Sequence, residues 1–253
     1  MPHTISNRPK SANPVASPLE IRQQFLWESL NAGIYTLGGI TFIAGSAMFF
    51  PAFSAWLNLG CMLFLIGSIL YLVVTLHDVV EAIVFWRRSR LCPAKVLELT
   101  AAWLYVLGTL LFVVGSFLFT SWFELKRPGA WCFIVGSLCF VAGATINIMQ
   151  IIRQTSLVSL VMTNLTAVSF VTGSVLFTVA SIPYLWHYFA PQDHFVELNF
   201  LACQYLVGSG LFLMGGVLNL VRSWMLMRWR LACLADDPDH DKRFLALLRG
   251  ELT

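Results

Sequence analysis

Charged residues are scarce in this chain. Asp, Glu, Lys and Arg make up 11% of its 253 residues, whereas hydrophobic residues make up 58% and the mean hydropathy is +0.74. A soluble domain normally carries about a quarter charged residues. So few charges in so apolar a chain indicate a membrane protein. The chain also lacks a long run of Lys and Arg, and nucleic-acid binding is therefore not expected.

Common motifs of catalysis and metal binding are missing as well. The six cysteines form no CxxC pair, which excludes a zinc ribbon and a redox pair, and we expect buried free thiols. HExxH, GxSxG and a phosphate-binding loop are absent. All four lysines lie outside the apolar stretches, and only one histidine, His77, touches such a stretch. These features argue against a retinal Schiff base and a bis-histidine haem, and no cofactor is expected.

The N-terminus contains no recognisable signal peptide. Residues 1–18 are polar and rich in Pro, Ser and Asn, and they predict a disordered tail. Residues 19–29 mix charges with large apolar side chains, a composition typical of an interfacial helix. We expect this helix to lead into the first span, which then serves as the uncleaved insertion signal.

Six apolar stretches follow, each about 20 residues long, the length that the hydrocarbon core of a bilayer requires. They lie near 30–50, 56–77, 99–120, 130–151, 158–181 and 200–221. They lack the alternation of a strand, and only helices or closed barrels satisfy their backbone groups in lipid. The predicted fold class is therefore all-α, a polytopic membrane protein with six transmembrane helices arranged as three helical hairpins. The hairpins occupy 19–92, 93–155 and 156–230, and a C-terminal tail occupies 231–253.

Basic residues predict the orientation of these spans. Fourteen of the sixteen Lys and Arg lie in the N-terminal tail, the second and fourth connections and the C-terminal region. The opposite side carries only Lys126 and Arg127. Because cytoplasmic segments are enriched in basic residues, both termini are predicted to be cytoplasmic, in the cell membrane.

A Gly-Ser pair recurs once in each apolar stretch, and its alignment reveals the three hairpins. Most of these pairs have another glycine seven residues earlier, and two helical turns place both glycines on one face. Small residues on one face allow close helix association in lipid, and the serines can bond back to their own backbone. We predict helix packing at Gly38, Gly45, Gly60, Gly67, Gly108, Gly115, Gly129, Gly136, Gly173 and Gly208.

Polar residues also recur at equivalent places, eleven and fourteen residues after the Gly of the second helix in each hairpin. They are Asp78 and Glu81, Asn147 and Gln150, and Asn219 and Arg222. Eleven or fourteen residues along a helix bring a side chain back to nearly the same side as the glycine. We therefore expect these residues to form a polar layer that points towards neighbouring helices, near the cytoplasmic end of the bundle. We also predict that Glu81 and Arg222 approach each other across the bundle.

The repeated pattern resembles the YrhK-like domain family, small bacterial membrane modules. The resemblance is carried by a helix that ends in GS-x-x-F and a second helix of the form W-x-F-x-x-G-S. In the second hairpin these residues are Gly115, Ser116, Phe119, Trp131, Phe133, Gly136 and Ser137. The third hairpin departs most, because its connection is long and no Trp precedes Gly208. The resemblance implies an architecture and supplies no catalytic residues.

Two groups of ionisable residues are candidate sites. His77, Asp78 and Glu81 occupy about one helical turn, as His and carboxylate ligands of a metal would. Their position at the predicted interface favours solvated helix-end polarity instead, and a proton-handling site or a partner contact remains an alternative. His194 and Glu197, in the third external connection with His187 and Asp193, are a second metal candidate, although an aromatic interface belt is favoured there.

The function that the sequence favours is that of a non-enzymatic integral membrane protein. It would act in the lipid bilayer through packing or through a partner, as a homo-oligomer or with another membrane protein. The alternative is a small-solute or ion transporter in which the polar layer lines the path. A membrane-embedded metal-dependent hydrolase that uses His77, Asp78 and Glu81 is a third possibility. The absence of inverted repeats and of midplane charges argues against transport.

Overall fold

Six long helices account for most of the described chain. The computed structural model describes residues 18–87, 92–151, 157–185 and 194–235. Two short 3₁₀ helices, Pro51–Trp56 and Ile182–Leu185, follow the first and fifth long helices. Helices α1 to α6 are Pro18–Ala47, Leu57–Trp86, Pro93–Phe119, Lys126–Ile151, Leu157–Ser181 and His194–Ala235. These ranges contain no strand, so the all-α prediction is confirmed.

The helices extend beyond the apolar stretches that predicted them. Residues 19–29 are helical, but they form the first turns of α1 instead of a separate interfacial helix. No Pro or Gly lies between residues 19 and 32 to interrupt it. Likewise α6 runs for 42 residues, well past the predicted end at 221. Hydropathy marks only the apolar part of a helix, whereas the helix itself continues until a turn or a helix breaker ends it.

Local sequence explains where α3 begins and how α4 folds back on it. Cys92 is extended, with φ −138° and ψ 157°, and Pro93 opens the helix, where its missing N–H costs nothing. The connection after Phe119 is tight. Its Glu124 adopts a positive φ of 51°, and the N–H of Leu125 donates to the carbonyl of Leu118 at 3.0 Å. Helices α3 and α4 are therefore antiparallel neighbours.

Five of the helices are long and apolar enough to cross a membrane. These candidate spans are Pro51–Val84, Pro93–Phe119, Lys126–Met149, Val161–Leu185 and Phe195–Met225. Helix α1, the first of the six predicted spans, is not among them. It contains Asn31, Thr36, Thr41, Ser46 and several glycines, which lower its hydropathy. Its hydroxyls donate to backbone carbonyls within the helix, Thr36 to Ala32 and Thr41 to Gly38, both at 2.7 Å.

The six helices form a closed ring. Each helix packs mainly against the helices before and after it in the chain, and α1 packs against α6 to complete the circle. One large core cluster fills the ring and draws buried aromatic side chains from every helix. Outward positions carry large apolar side chains such as Ile66, Trp103 and Val207. A surface of this kind suits lipid.

The cysteines differ from the prediction that they are buried. The five described ones are free thiols, and among these only Cys61 is buried. Cys92, Cys132 and Cys139 are half-buried, and Cys203 is exposed on the outer face of α6. A thiol is compatible with apolar surroundings at these partly exposed positions as well as at a buried one.

Candidate functional site

All ten predicted packing glycines lie at contacts between consecutive helices. A Cβ built on Gly45 would stand 2.9 Å from the carbonyl oxygen of Gly60, and one built on Gly108 would stand 2.9 Å from that of Gly136. The same relation holds in α5 and α6, where a Cβ on Gly173 would lie 3.0 Å from the carbonyl oxygen of Gly208. The backbones of α1 and α2, α3 and α4, and α5 and α6 therefore approach too closely for a side chain.

The serine of most Gly-Ser pairs faces the other neighbour of its helix. Ser46 on α1 lies 3.0 Å from Ser209 on α6, measured between the hydroxyl oxygens, and Ser68 on α2 lies 3.2 Å from Ser116 on α3. Ser46 and Ser68 also donate to the carbonyl four residues earlier, as the sequence suggests. The Oγ atom of Ser137 on α4 is buried without a hydrogen-bond partner. In most Gly-Ser pairs the glycine thus contacts one ring neighbour of its helix and the serine contacts the other.

An aromatic residue stands three positions before and four positions after the glycine of every Gly-Ser pair. The twelve residues are Phe42, Phe49, Phe64, Tyr71, Phe112, Phe119, Phe133, Phe140, Phe170, Phe177, Tyr205 and Phe212. All of them belong to the core cluster or pack against it. Sequence reasoning missed this sixfold F/Y-x-x-G-S-x-x-F/Y pattern, although its heptad spacing was visible.

These rings meet across the interior of the bundle. The ring centroids of Phe64, Phe133 and Tyr205, which occupy equivalent places on α2, α4 and α6, lie 6.3, 6.4 and 6.0 Å apart. Phe177 also reaches Phe42 and Phe112 on the other odd-numbered helices, at 6.4 and 5.4 Å. Since helices that are not ring neighbours touch through these side chains, the rings occupy the axis of the bundle.

The predicted polar layer lies at one end of the aromatic core, and one of its members in each hairpin bonds to the preceding helix. The amide Nδ2 of Asn31 on α1 donates to Oδ1 of Asp78 on α2 at 3.2 Å. Asn147 on α4 donates to the hydroxyl of Tyr105 on α3 at 3.1 Å. Asp78 and Asn147 are only 6% and 7% exposed. Asp78 and Asn147 therefore point inward, and each hydrogen bond joins two consecutive helices.

Arg222 is the most deeply buried charge of this layer, with 2% of its surface exposed. Its guanidinium donates to Thr163 on α5 and, through Nη2, to Oδ1 of Asn219 at 2.9 Å. Its Nε is buried without a hydrogen-bond partner. The carboxylate that acts on it electrostatically is that of Glu28 on α1, the ring neighbour of α6. The approach of Glu81 to Arg222 stays a prediction.

Neutralising Glu28 is expected to destabilise the protein more than neutralising Glu81. Because Arg222 is nearly inaccessible to water, losing the carboxylate that acts on it leaves a buried charge with less compensation. We expect Glu28→Gln to cost about 1 kcal/mol, allowing for the partial exposure of Glu28. The measurement is the unfolding midpoint of each purified variant in a detergent titration. A larger loss in Glu81→Gln would favour the predicted Glu81 contact.

His77, Asp78 and Glu81 converge at the end of α2. One potential ligand atom from each residue lies within 4.8 Å of the other two. Asp78 is buried, and His77 and Glu81 are half-buried. Nδ1 of His77 is buried and accepts or donates no hydrogen bond. An imidazole and two carboxylates at this spacing can bind a divalent cation.

The remaining predicted site residues lie partly outside the described structure. Glu197 is half-buried in the first turn of α6, which begins at His194. The side chains of His194 and Gln150 lie outside the described residues, as do residues His187 and Asp193. Of the two predicted tails, 1–18 and 231–253, residues 1–17 and 236–253 are not described, whereas residues 231–235 continue helix α6. The second metal candidate therefore stays a prediction.

Comparison with known proteins identifies the repeated unit. Residues 26–83 and residues 95–152 each match the family model described as YrhK-like protein. The first match covers most of α1 and α2, and the second covers α3 and α4. No curated protein and no solved structure matches the chain significantly.

Proposed function

We propose that the chain is a multi-pass membrane protein built from three copies of one helical hairpin, because residues 26–83 and 95–152 each match the YrhK-like family model. The third copy is α5 and α6. Its support is the close contact between Gly173 on α5 and Gly208 on α6, which resembles the contact between Gly108 on α3 and Gly136 on α4. The two contacts differ by seven residues on the first helix, because Gly173 belongs to a Gly-Ser pair and Gly108 precedes one by a heptad. The nearly equilateral triangle of rings on α2, α4 and α6 further supports a threefold axis through the bundle.

In this proposal α1 is the sixth span, and the axis runs along the membrane normal. Helix α1 occupies the same place in the ring as α3 and α5, which are apolar enough to cross a membrane. The hydroxyls of Thr36, Thr41 and Ser46 are bonded to the backbone of α1 or to a neighbouring helix, so they add little cost in lipid. The distribution of Lys and Arg supports a cytoplasmic position for both termini.

The protein acts through its packed helices and their contacts with other membrane proteins or with further copies of itself, and not through catalysis. The observation that carries this proposal is the filled axis. Twelve aromatic side chains occupy the interior where a transporter would need an aqueous path. The polar layer is engaged in hydrogen bonds between paired helices, which is how polar groups associate helices in lipid.

Thiol accessibility in a cysteine-free variant tests this proposal. Ser137→Cys places a thiol of similar size at the centre of α4, where the native hydroxyl makes no hydrogen bond. We expect a membrane-impermeant methanethiosulfonate reagent to leave it unmodified from either side of the membrane, because the surrounding side chains exclude water. Modification is measured by the mass of the purified protein.

Trp122→Cys is the matched control, because this exposed residue lies in the connection between α3 and α4. It should react with reagent added outside the cell and not with reagent trapped inside. If the Ser137→Cys variant reacted at a rate close to that of the Trp122→Cys variant, a water-filled path would reach the core and transport would replace our proposal.

Transport retains one observation in its favour. Arg222 is buried, and its Nε has no hydrogen-bond partner. An incompletely satisfied buried guanidinium would suit an anionic solute that enters from the cytoplasmic end. The same thiol experiment with Asn147→Cys, in the polar layer, distinguishes a solute vestibule from a closed layer.

A further inference from the structure

The strongest unexplained feature of the bundle is the convergence of three potential metal ligands at the end of α2. His77 and Glu81 are four residues apart and share one helical face. Around the helix axis, Asp78 lies about 100° from His77 and about 60° from Glu81. Their ligand atoms nevertheless lie within 4.8 Å of one another. Donor atoms around a single first-row metal ion are separated by about 3–4 Å, since each lies about 2.0–2.2 Å from the metal. A small change in side-chain rotamers would complete such a site.

We infer that His77, Asp78 and Glu81 form a binding site for one divalent transition-metal ion. The inference does not depend on the proposed packing function. The buried Nδ1 of His77 supports it independently of the carboxylates, because a buried imidazole nitrogen without a hydrogen-bond partner is costly and a metal ion bound through it would remove that cost.

The donor set selects the class of ion. One imidazole nitrogen and two carboxylate oxygens suit Zn²⁺, Mn²⁺ or Fe²⁺, whereas Mg²⁺ and Ca²⁺ prefer oxygen ligands only. Three protein ligands leave further coordination positions for water or for a group from a partner. We therefore expect Zn²⁺ to bind in preference to Mg²⁺.

Asn31 acts as a positioning residue for this site. Its amide donates to Oδ1 of Asp78 from the neighbouring helix α1, which helps to fix the orientation of the carboxylate. Hydrogen bonds of this kind orient metal ligands and contribute to affinity. The ion would thus be bound where the two helices of the first hairpin meet.

Only the first hairpin contains this combination of ligands. The equivalent residues are Ile146, Asn147 and Gln150 in the second hairpin. In the third they are Leu218, Asn219 and Arg222, and the arginine would repel a cation. The second hairpin therefore supplies a natural template for a variant that removes the ligands without removing the helix.

Zinc binding to the full-length protein tests the inference. The protein is purified in detergent without a polyhistidine tag, stripped with EDTA and dialysed against micromolar Zn²⁺, and bound metal is counted by mass spectrometry. We expect one ion per chain, and we expect its loss when His77→Ile, Asp78→Asn and Glu81→Gln are combined. Asn31→Ala should weaken the affinity roughly 10- to 100-fold.

Glu124→Gln is the control, because this exposed carboxylate lies at the opposite end of the bundle. It should leave the stoichiometry and affinity unchanged. Absence of binding to the native protein, or full binding to the triple variant, would overturn the inference. Displacement of Zn²⁺ by equimolar Mg²⁺ would do the same. If the triple variant lost its helical circular dichroism, His77→Ala alone would decide the question by its effect on zinc affinity.

Discussion

Phe177→Ala is expected to destabilise the protein by about 3 kcal/mol, the lower end of the range for Phe→Ala in soluble cores. The side chain is fully buried on α5. Its ring lies 5.1 Å from that of Phe212 and 5.3 Å from that of Tyr205, and it also contacts rings of α1, α2 and α3. Lipid supplies no hydrophobic driving force between helices, so the loss comes from the cavity and the missing dispersion contacts.

The matched control is Phe117→Ala. Phe117 has the same side chain, but it is 39% exposed on α3. Its alanine variant creates no cavity at the axis, and we expect a change below about 0.5 kcal/mol. The unfolding midpoint of each purified variant is measured by titration with a denaturing detergent. Equal losses in the two variants would mean that the aromatic rings do not form a common core.

The Gly-Ser repeats carried most of the information that sequence provides about this fold. They located the helices and the close contacts between them, because small residues at heptad spacing have few other uses in an apolar helix. The flanking aromatic residues carried further information, on which helix faces point to the axis, and that signal was missed. In a chain this rich in Phe, a single ring on a helix gives no sign of whether it faces lipid or the axis, and only the sixfold recurrence distinguishes the two.

The partners of the polar layer were beyond sequence reasoning for a different reason. Asp78 and Asn147 occupy equivalent places, but Asn31 and Tyr105, which bond to them, occupy different places on α1 and α3. The buried polar residue of α2 and that of α4 are thus hydrogen-bonded by side chains from different positions on the preceding helix. Such pairing depends on the registration of two helices, which periodicity within one helix does not fix.

The acidic end of α2 shows the same limit. Helical spacing brings His77 and Glu81 together on one face, and this was visible in the sequence. The hydrogen bond from Asn31 to Asp78 was not, because it depends on how α1 packs against α2 and not on the spacing within α2. The surroundings of this candidate metal ligand therefore depend on the register of α1 against α2.

Gly108→Ala is expected to destabilise the protein by about 3 kcal/mol, at the upper end of the usual cost of overpacking. The added methyl group would stand 2.4 Å from Cε1 of Phe140 and 2.9 Å from the carbonyl oxygen of Gly136. The ring could rotate away only into other core rings, and the carbonyl belongs to the backbone of α4. Helices α3 and α4 must therefore separate along the whole contact, which also weakens the neighbouring contact at Gly115.

Gly210→Ala separates this steric effect from the conformational effect of replacing a helical glycine. No atom lies within 4 Å of a Cβ built on Gly210, which lies in α6 two residues from the tightly packed Gly208. Alanine at this position lowers the conformational entropy of the unfolded chain, and its methyl group meets no atom in the folded protein. We therefore expect the stability of the variant to be unchanged or raised by up to about 1 kcal/mol. The same detergent titration measures both variants. A loss in Gly210→Ala comparable to that in Gly108→Ala would contradict direct backbone contact as the cause, since both substitutions add the same methyl group to a helix.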